Sequence, residues 1–137
     1  DHDRQLNKKS VMMAEGIAVS IIMTEGLKYM INRPRPSTKD SLIIPATDIG
    51  SPSFPSGHTS DAFAAATAIS LAFPKWYVIA PSFLWAATVG YSRLYLGAHY
   101  PSDVLGGALL GSGSAWLALK INKWLWEKHH QKSTLSN

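Results

Sequence analysis

Four long apolar stretches, separated by prolines and nearly free of charge, constrain this chain more than any other feature. They run from Val11 to about Met30, from His58 to Phe73, from Trp76 to Gly90 and from Val104 to Leu119. Their lengths favour helix over strand, and Ala and Leu outnumber β-branched residues in the second and fourth. The expected fold class is therefore all-α, a helical bundle with at least four main helices. Pro34 and Pro36 would end the first helix, Pro74 divides the second from the third, and Pro101 precedes the fourth. Ser102 followed by Asp103 reads as an N-cap with an acidic first turn. A length of 137 residues without internal repeats fits one domain, 1–137, with a tail over 127–137 that is disordered from Lys132. The opening Asp1-His2-Asp3-Arg4-Gln5 has no signal-peptide pattern and no starting Met, which reads as a fragment or processed chain that lacks upstream helices.

Charged residues make up 16% of the chain and apolar ones 46%, where a soluble domain carries roughly 25% charged. That excludes a disordered chain and favours a transmembrane bundle over a compact periplasmic one. A span needs about 20 apolar residues, so the second stretch is short, and Glu15 and Glu25 in the first require a polar interior. The lysines are placed unevenly. Lys8 and Lys9 precede the first helix, Lys75 joins the second to the third, and Lys120, Lys123, Lys128 and Lys132 follow the fourth. If all four helices span, these regions share one side, which the positive-inside rule makes cytoplasmic. The loops at 31–57 and 91–103 then share the other. Gly107 and Gly111 give the small-xxx-small spacing of close helix packing. Trp76, Tyr77, Trp124 and Trp126 lie near helix ends, as an aromatic belt would.

No cysteine is present, which excludes disulfides, thiolate metal sites and cysteine nucleophiles. The net charge of +4 comes from scattered basic residues with no recognition motif, so no nucleic-acid partner is expected. The chemistry sits in the two loops on the lysine-poor side. One contributes Lys28, Arg33, Arg35 and Pro55-Ser56-Gly57-His58; the other contributes Ser92, Arg93, His99 and Asp103. Cations gathered beside histidines need an anion, and phosphate matches guanidinium forks in a bidentate way.

Three motifs stand in order: Lys28, six residues, Arg35-Pro36; then Pro55-Ser56-Gly57-His58; then Ser92-Arg93, five residues, His99, and three more to Asp103. Together, from Lys28 to Asp103, they resemble the signature of the type 2 phosphatidic acid phosphatase family, which includes bacterial acid phosphatases and vanadium haloperoxidases. The resemblance implies a phosphatase working through a phosphohistidine at His99. Asp103 would accept a hydrogen bond from that imidazole and fix its tautomer. His58 would protonate the leaving group and then activate water. Lys28, Arg35 and Arg93 would bind the phosphate oxygens, joined by the Ser56 hydroxyl and by the backbone N–H groups of Ser56, Gly57 and His58 at a helix N-terminus. The scheme needs no metal or cofactor, and no carboxylate cluster is there to hold a metal.

Each residue also has an ordinary use. Lys28 suits a helix C-terminus, Arg35 and Arg93 suit solvated or interfacial positions, and His58 and Asp103 suit helix starts. Their joint spacing favours the catalytic reading. Arg33 is an extra cation beside the motif, Asp61 suits a helix N-terminus, and Glu25 can pair with Lys28. His129 and His130 read as part of a solvated tail. The expected function is a metal-independent lipid phosphatase in a bacterial inner membrane, facing the periplasm. Its substrate would be phosphatidic acid, phosphatidylglycerol phosphate or an isoprenoid pyrophosphate. The alternatives are a soluble periplasmic acid phosphatase and a non-catalytic lipid-phosphate-binding protein.

Overall fold

The computed structural model describes residues 2–39, 42 and 50–135, with the side chains of His2 and of 129–135 left out. The described residues form helices and connecting loops, without strands: α1 (His2–Ile31), a single turn α2 (Pro36–Lys39), α3 (Gly57–Ala72), α4 (Trp76–Tyr95) and α5 (Pro101–Leu135). The four long helices follow the four apolar stretches but outrun them. α1 starts nine residues before Val11 and α5 continues to Leu135, because the flanking Lys, Gln, Glu and Leu residues are good helix formers that carry a helix on past its apolar part. The backbone of α5 thus enters the expected tail, while the side chains of His129 and His130 lie outside those described.

The ends are set by local chemistry. Asn32 stops α1 by taking a left-handed conformation (φ 48°), and its N–H donates to the Lys28 carbonyl at 2.8 Å. This is an Asn-type C-cap, so Pro34 follows a helix that has already ended. α5 begins two residues earlier than Ser102 would allow as a cap. Pro101 takes the first helical position, where its missing N–H costs nothing. Asp103, at the third position, reaches back to accept the N–H of Tyr100 at 2.8 Å, as the acid of a capping box does.

α3 is the central helix and packs against α1, α4 and α5. Its buried side are Ala62, Ala64, Ala66 and Ala68 together with Thr59 and Ser60. Small residues let backbones approach closely, and α5 uses glycine for the same purpose. A Cβ on Gly107 would lie 2.6 Å from the Ser56 carbonyl oxygen, and one on Gly111 would lie 2.1 Å from that of Ser60. Neither fits. Ser60 also closes a hydroxyl cluster with α1, at 2.7 Å from Thr24 and 3.2 Å from Ser20.

The large apolar side chains face outward instead. Trp76 is 80% exposed, Leu84 71% and Ile22 70%, the inverse of a water-soluble domain. α1 and α5 are long and apolar enough to cross a membrane. At 16 residues α3 is about 24 Å long, short of the roughly 30 Å hydrocarbon core. Glu15 and Glu25, the acids within the apolar part of α1, both have protein partners, Glu15 taking a hydrogen bond from Asn122 of α5 and Glu25 pairing with Lys28.

Close packing at Gly111 gives a paired expectation. Gly111→Ala should lower the melting temperature in detergent, by about 1–3 kcal/mol of overpacking strain, even though Ala is the better helix former. Gly113→Ala, where the new methyl meets open space, should not lower it. Equal melting of the two variants would refute the proposed contact between α3 and α5.

Candidate active site

The bundle end away from the lysines is built from the close of α1, the loop 50–56, the starts of α3 and α5, and the end of α4. Arg35 knits the loops together. Its Nε donates to the Ser51 carbonyl at 2.9 Å, Nη2 to the Ser51 hydroxyl at 3.0 Å and Nη1 to the Ala98 carbonyl at 3.1 Å. These bonds fix a buried guanidinium whose Nη1 lies 3.4 Å from Nε2 of His99.

His99 is buried, and its Nδ1 is 2.7 Å from the carbonyl oxygen of Ser53. A carbonyl only accepts, so Nδ1 carries the proton and Nε2 keeps its lone pair, directed toward Arg35. Burial first, and the Arg35 charge next, lower the His99 pKa to about 4. The imidazole is therefore neutral at neutral pH, as a nucleophile must be.

The direct bond expected between His99 and Asp103 is not formed: Asp103 Oδ2 stands 3.8 Å from Nδ1. The carboxylate is fully buried and taken up elsewhere. Oδ2 accepts from the Tyr100 N–H and from the Ser53 hydroxyl, and Oδ1 accepts from Arg33 at 2.7 Å. Ser53 thus stands between acid and imidazole, giving its hydroxyl to one and its carbonyl to the other. Arg33 reaches Ser102 as well, at 2.7 Å, and lies over the Tyr100 ring. It is the ion-pair partner of Asp103 and not a free cation.

At the start of α3, Ser56 is fully buried and its hydroxyl lies 2.9 Å from that of Thr59. Its N–H donates to the main-chain carbonyl of Asp103 at 3.0 Å. The N–H of Ser56 is thus unavailable to an anion, contrary to the expectation from sequence. Gly57 and His58 lie in the first turn of α3, where N–H groups lack an intrahelical acceptor. A Cβ on Gly57 would sit 3.1 Å from Lys28 Nζ, so the glycine lets that buried ammonium lie against the helix start. Lys28 also pairs with Glu25 at 2.9 Å.

His58 is exposed at the mouth, beyond the apolar part of α3. Its pKa is lowered by partial burial first and then by the charge of Arg93, with Asp61 opposing. Arg93, in the last turn of α4, touches its neighbour Ser92 and makes no ion pair among the described residues. Lys28 and Arg35 thus act electrostatically on both histidines and Arg93 on His58, while Arg33 pairs with Asp103. Among the described residues no group of carboxylates and histidines is placed to hold a metal. Sequence reasoning missed Ser51 and Ser53. Neither belongs to a motif, and Ser53 orients His99 through a main-chain oxygen that any residue carries.

The sequence matches the PAP2 superfamily over residues 10–127. It is 33% identical over 122 residues to the undecaprenyl-diphosphatase of Sulfolobus acidocaldarius, covering 86% of this chain and 57% of that protein. Among solved structures, Aquifex aeolicus LpxE superposes with a TM-score of 0.77 at 34% identity, over 83% of this chain and 68% of that one. A transmembrane PAP2-type phosphatidylglycerolphosphate phosphatase from Bacillus subtilis gives 0.71 at 30%, over 82% and 58%. The chain spans about half the length of the curated relatives it matches. These likenesses, the outward apolar faces and the two helices long enough to cross place the chain as a membrane protein of the PAP2 superfamily.

Proposed function

We propose that the chain is the catalytic part of a metal-independent phosphatase acting on a lipid phosphomonoester or diphosphate. One observation carries this reading: a neutral His99 whose unprotonated Nε2 stands beside buried Arg35, in a cationic pocket at the end of an outwardly apolar bundle. Nε2 attacks phosphorus, forming the P–N bond as the P–O bond to the lipid breaks. His58 supplies the proton to the leaving oxygen. Water then attacks the phosphohistidine, giving its proton to His58 and releasing phosphate and a neutral His99. Arg35, Arg93 and Lys28 bind the equatorial oxygens, and the N–H groups of Gly57 and His58 add the donors of a helix N-terminus. Ser56 acts by holding Thr59 and the loop, since its polar groups are already engaged. Asp103 acts through charge and through Ser53.

The lipid class follows from the setting. The pocket opens at the end of helices whose outer faces are apolar, so a headgroup can enter while its chain stays beside the bundle. This favours a lipid substrate over the small esters of a soluble periplasmic enzyme. The relatives named above act on undecaprenyl diphosphate and phosphatidylglycerol phosphate, and phosphatidic acid presents the same terminal phosphate. Lys8, Lys9, Lys75, Lys120, Lys123 and Lys128 cluster at the far end, which the positive-inside rule assigns to the cytoplasm. The pocket then faces the periplasm from a bacterial inner membrane. The intact nucleophile and acid argue against a non-catalytic binding protein, because binding alone needs only the cations.

Phosphate release from phosphatidic acid and undecaprenyl diphosphate, in mild detergent with EDTA, tests the proposal. Turnover should resist EDTA, vanish in His99→Ala and fall about 10²–10⁴-fold in His58→Ala. Turnover surviving in His99→Ala, or lost to EDTA, would sink it.

The pH dependence has a definite sign. His99 loses its nucleophilic lone pair on protonation, so kcat/KM should hold down to about pH 4, the position of its pKa, and fall below that. Arg35→Gln removes a charge that depresses this pKa. Ring titration of His99 by NMR should then move upward while staying below the ordinary value, since burial is the larger cause. A downward or absent shift would contradict the assigned contact.

A further inference from the structure

The far end of the bundle carries a second concavity. The first half of α1, the last turn of α3 and the second half of α5 enclose a groove of about 930 Å³. Leu119, on its floor, is sixteen residues along α5 from Asp103, about 24 Å at 1.5 Å per residue. The groove is therefore separate from the catalytic pocket. Its floor is apolar, from Met12, Met13, Leu71 and Leu119, and its rim carries Lys8, Lys9, Lys120 and Lys123 against one carboxylate, Glu127.

The lysines are arranged for an amphipathic ligand. Lys8 Nζ lies 3.8 Å over the Trp126 ring, Lys9 lies 4.7 Å over Phe73 and Lys120 lies 4.5 Å over Trp116. Their stems follow apolar surface and their ammonium groups sit on aromatic faces, which is how lysines behave where hydrocarbon meets water. No carboxylate pairs with any of the four among the described residues. An apolar floor under an unneutralised cationic rim matches an acyl chain joined to an anionic headgroup. We propose that this groove binds one anionic phospholipid, a phosphodiester such as phosphatidylglycerol, independently of the substrate pocket. A phosphodiester lacks the terminal phosphate that the chemistry proposed above removes, so the two sites can be read apart.

Trp116 and Trp126 line the groove and provide the readout. The purified chain in zwitterionic micelles is titrated with phosphatidylglycerol or phosphatidylcholine brominated on the acyl chain, and tryptophan quenching is followed. Half-quenching should need roughly fivefold less phosphatidylglycerol than phosphatidylcholine, a modest electrostatic preference for lysines at a membrane surface. Lys8→Gln/Lys123→Gln should abolish the preference. Lys75→Gln/Lys128→Gln removes the same charge from the same end but outside the groove, and should retain it. Equal quenching by the two lipids in the unsubstituted protein would overturn the proposal without reference to any variant. Equal losses in the two double variants would reduce it to diffuse surface attraction and overturn it too. Absent quenching together with a dimeric mass would give the groove to a second copy of the chain, again overturning it.

Discussion

The burial of the Asp103 carboxylate organises everything at the catalytic end. A carboxylate removed from water costs several kcal/mol unless its oxygens are fully satisfied, and roughly 3–5 kcal/mol is lost when a buried ion pair is broken by removing one partner. Asp103 meets the requirement with Arg33 from the segment just after α1, the Ser53 hydroxyl from the loop before α3, and the Tyr100 N–H just before α5. Its main-chain carbonyl takes the N–H of Ser56 as well. One residue therefore ties together three segments far apart in sequence, and satisfying its charge fixes their relative positions. His99 inherits that order, because Ser53 is pinned by Asp103 and in turn holds Nδ1.

The rest of the bundle follows from turning the usual pattern of burial inside out. Among helices whose outer faces carry Trp, Leu and Ile, no apolar excess remains to fill the interior, so close backbone contact and small polar groups hold it together. Gly107 and Gly111 admit the carbonyls of Ser56 and Ser60, and Ser20, Thr24 and Ser60 satisfy one another between α1 and α3. This packing also sets the height of the site. With α5 pressed onto α3 at Gly107, the start of α3 lies beside the first turn of α5, and the Pro55-Ser56-Gly57-His58 segment comes level with Asp103. A bulkier residue at Gly107 would separate the two segments that make the pocket.

The sequence was legible wherever a residue's chemistry is local. The four apolar stretches became the four long helices, and the residues of the three motifs converge on one bundle end. Gly107 and Gly111 are at the close contact their spacing implied. Reading failed where a partner is a main-chain atom or lies far along the chain. Nothing in Ser53 marks its carbonyl as the acceptor for His99, and nothing in Arg33 distinguishes a partner of Asp103, seventy residues away, from a surface cation. The expectation that Asp103 would bond His99 directly overlooked a competitor: at the third position of a helix, the same carboxylate is drawn back to the N-cap N–H. Helix ends were misjudged for a related reason. Hydropathy marks where a helix must be apolar, not where it stops, and Asn32 ended α1 before the prolines were reached.

The arrangement of charge also bears on the opposite parts proposed for the two histidines. Without substrate, Arg35 and Lys28 push both toward the neutral form, and Arg93 acts on His58 as well. For His99 the larger cause is burial, which a bound phosphate does not remove, so its neutral form persists. For His58, exposed at the mouth, partial burial is again the first cause, followed by the charge of Arg93, with Asp61 opposing. In the proposed mechanism, a phosphate dianion among Lys28, Arg35 and Arg93 would offset the positive field acting on His58, which together with Asp61 favours the protonated form that a general acid requires.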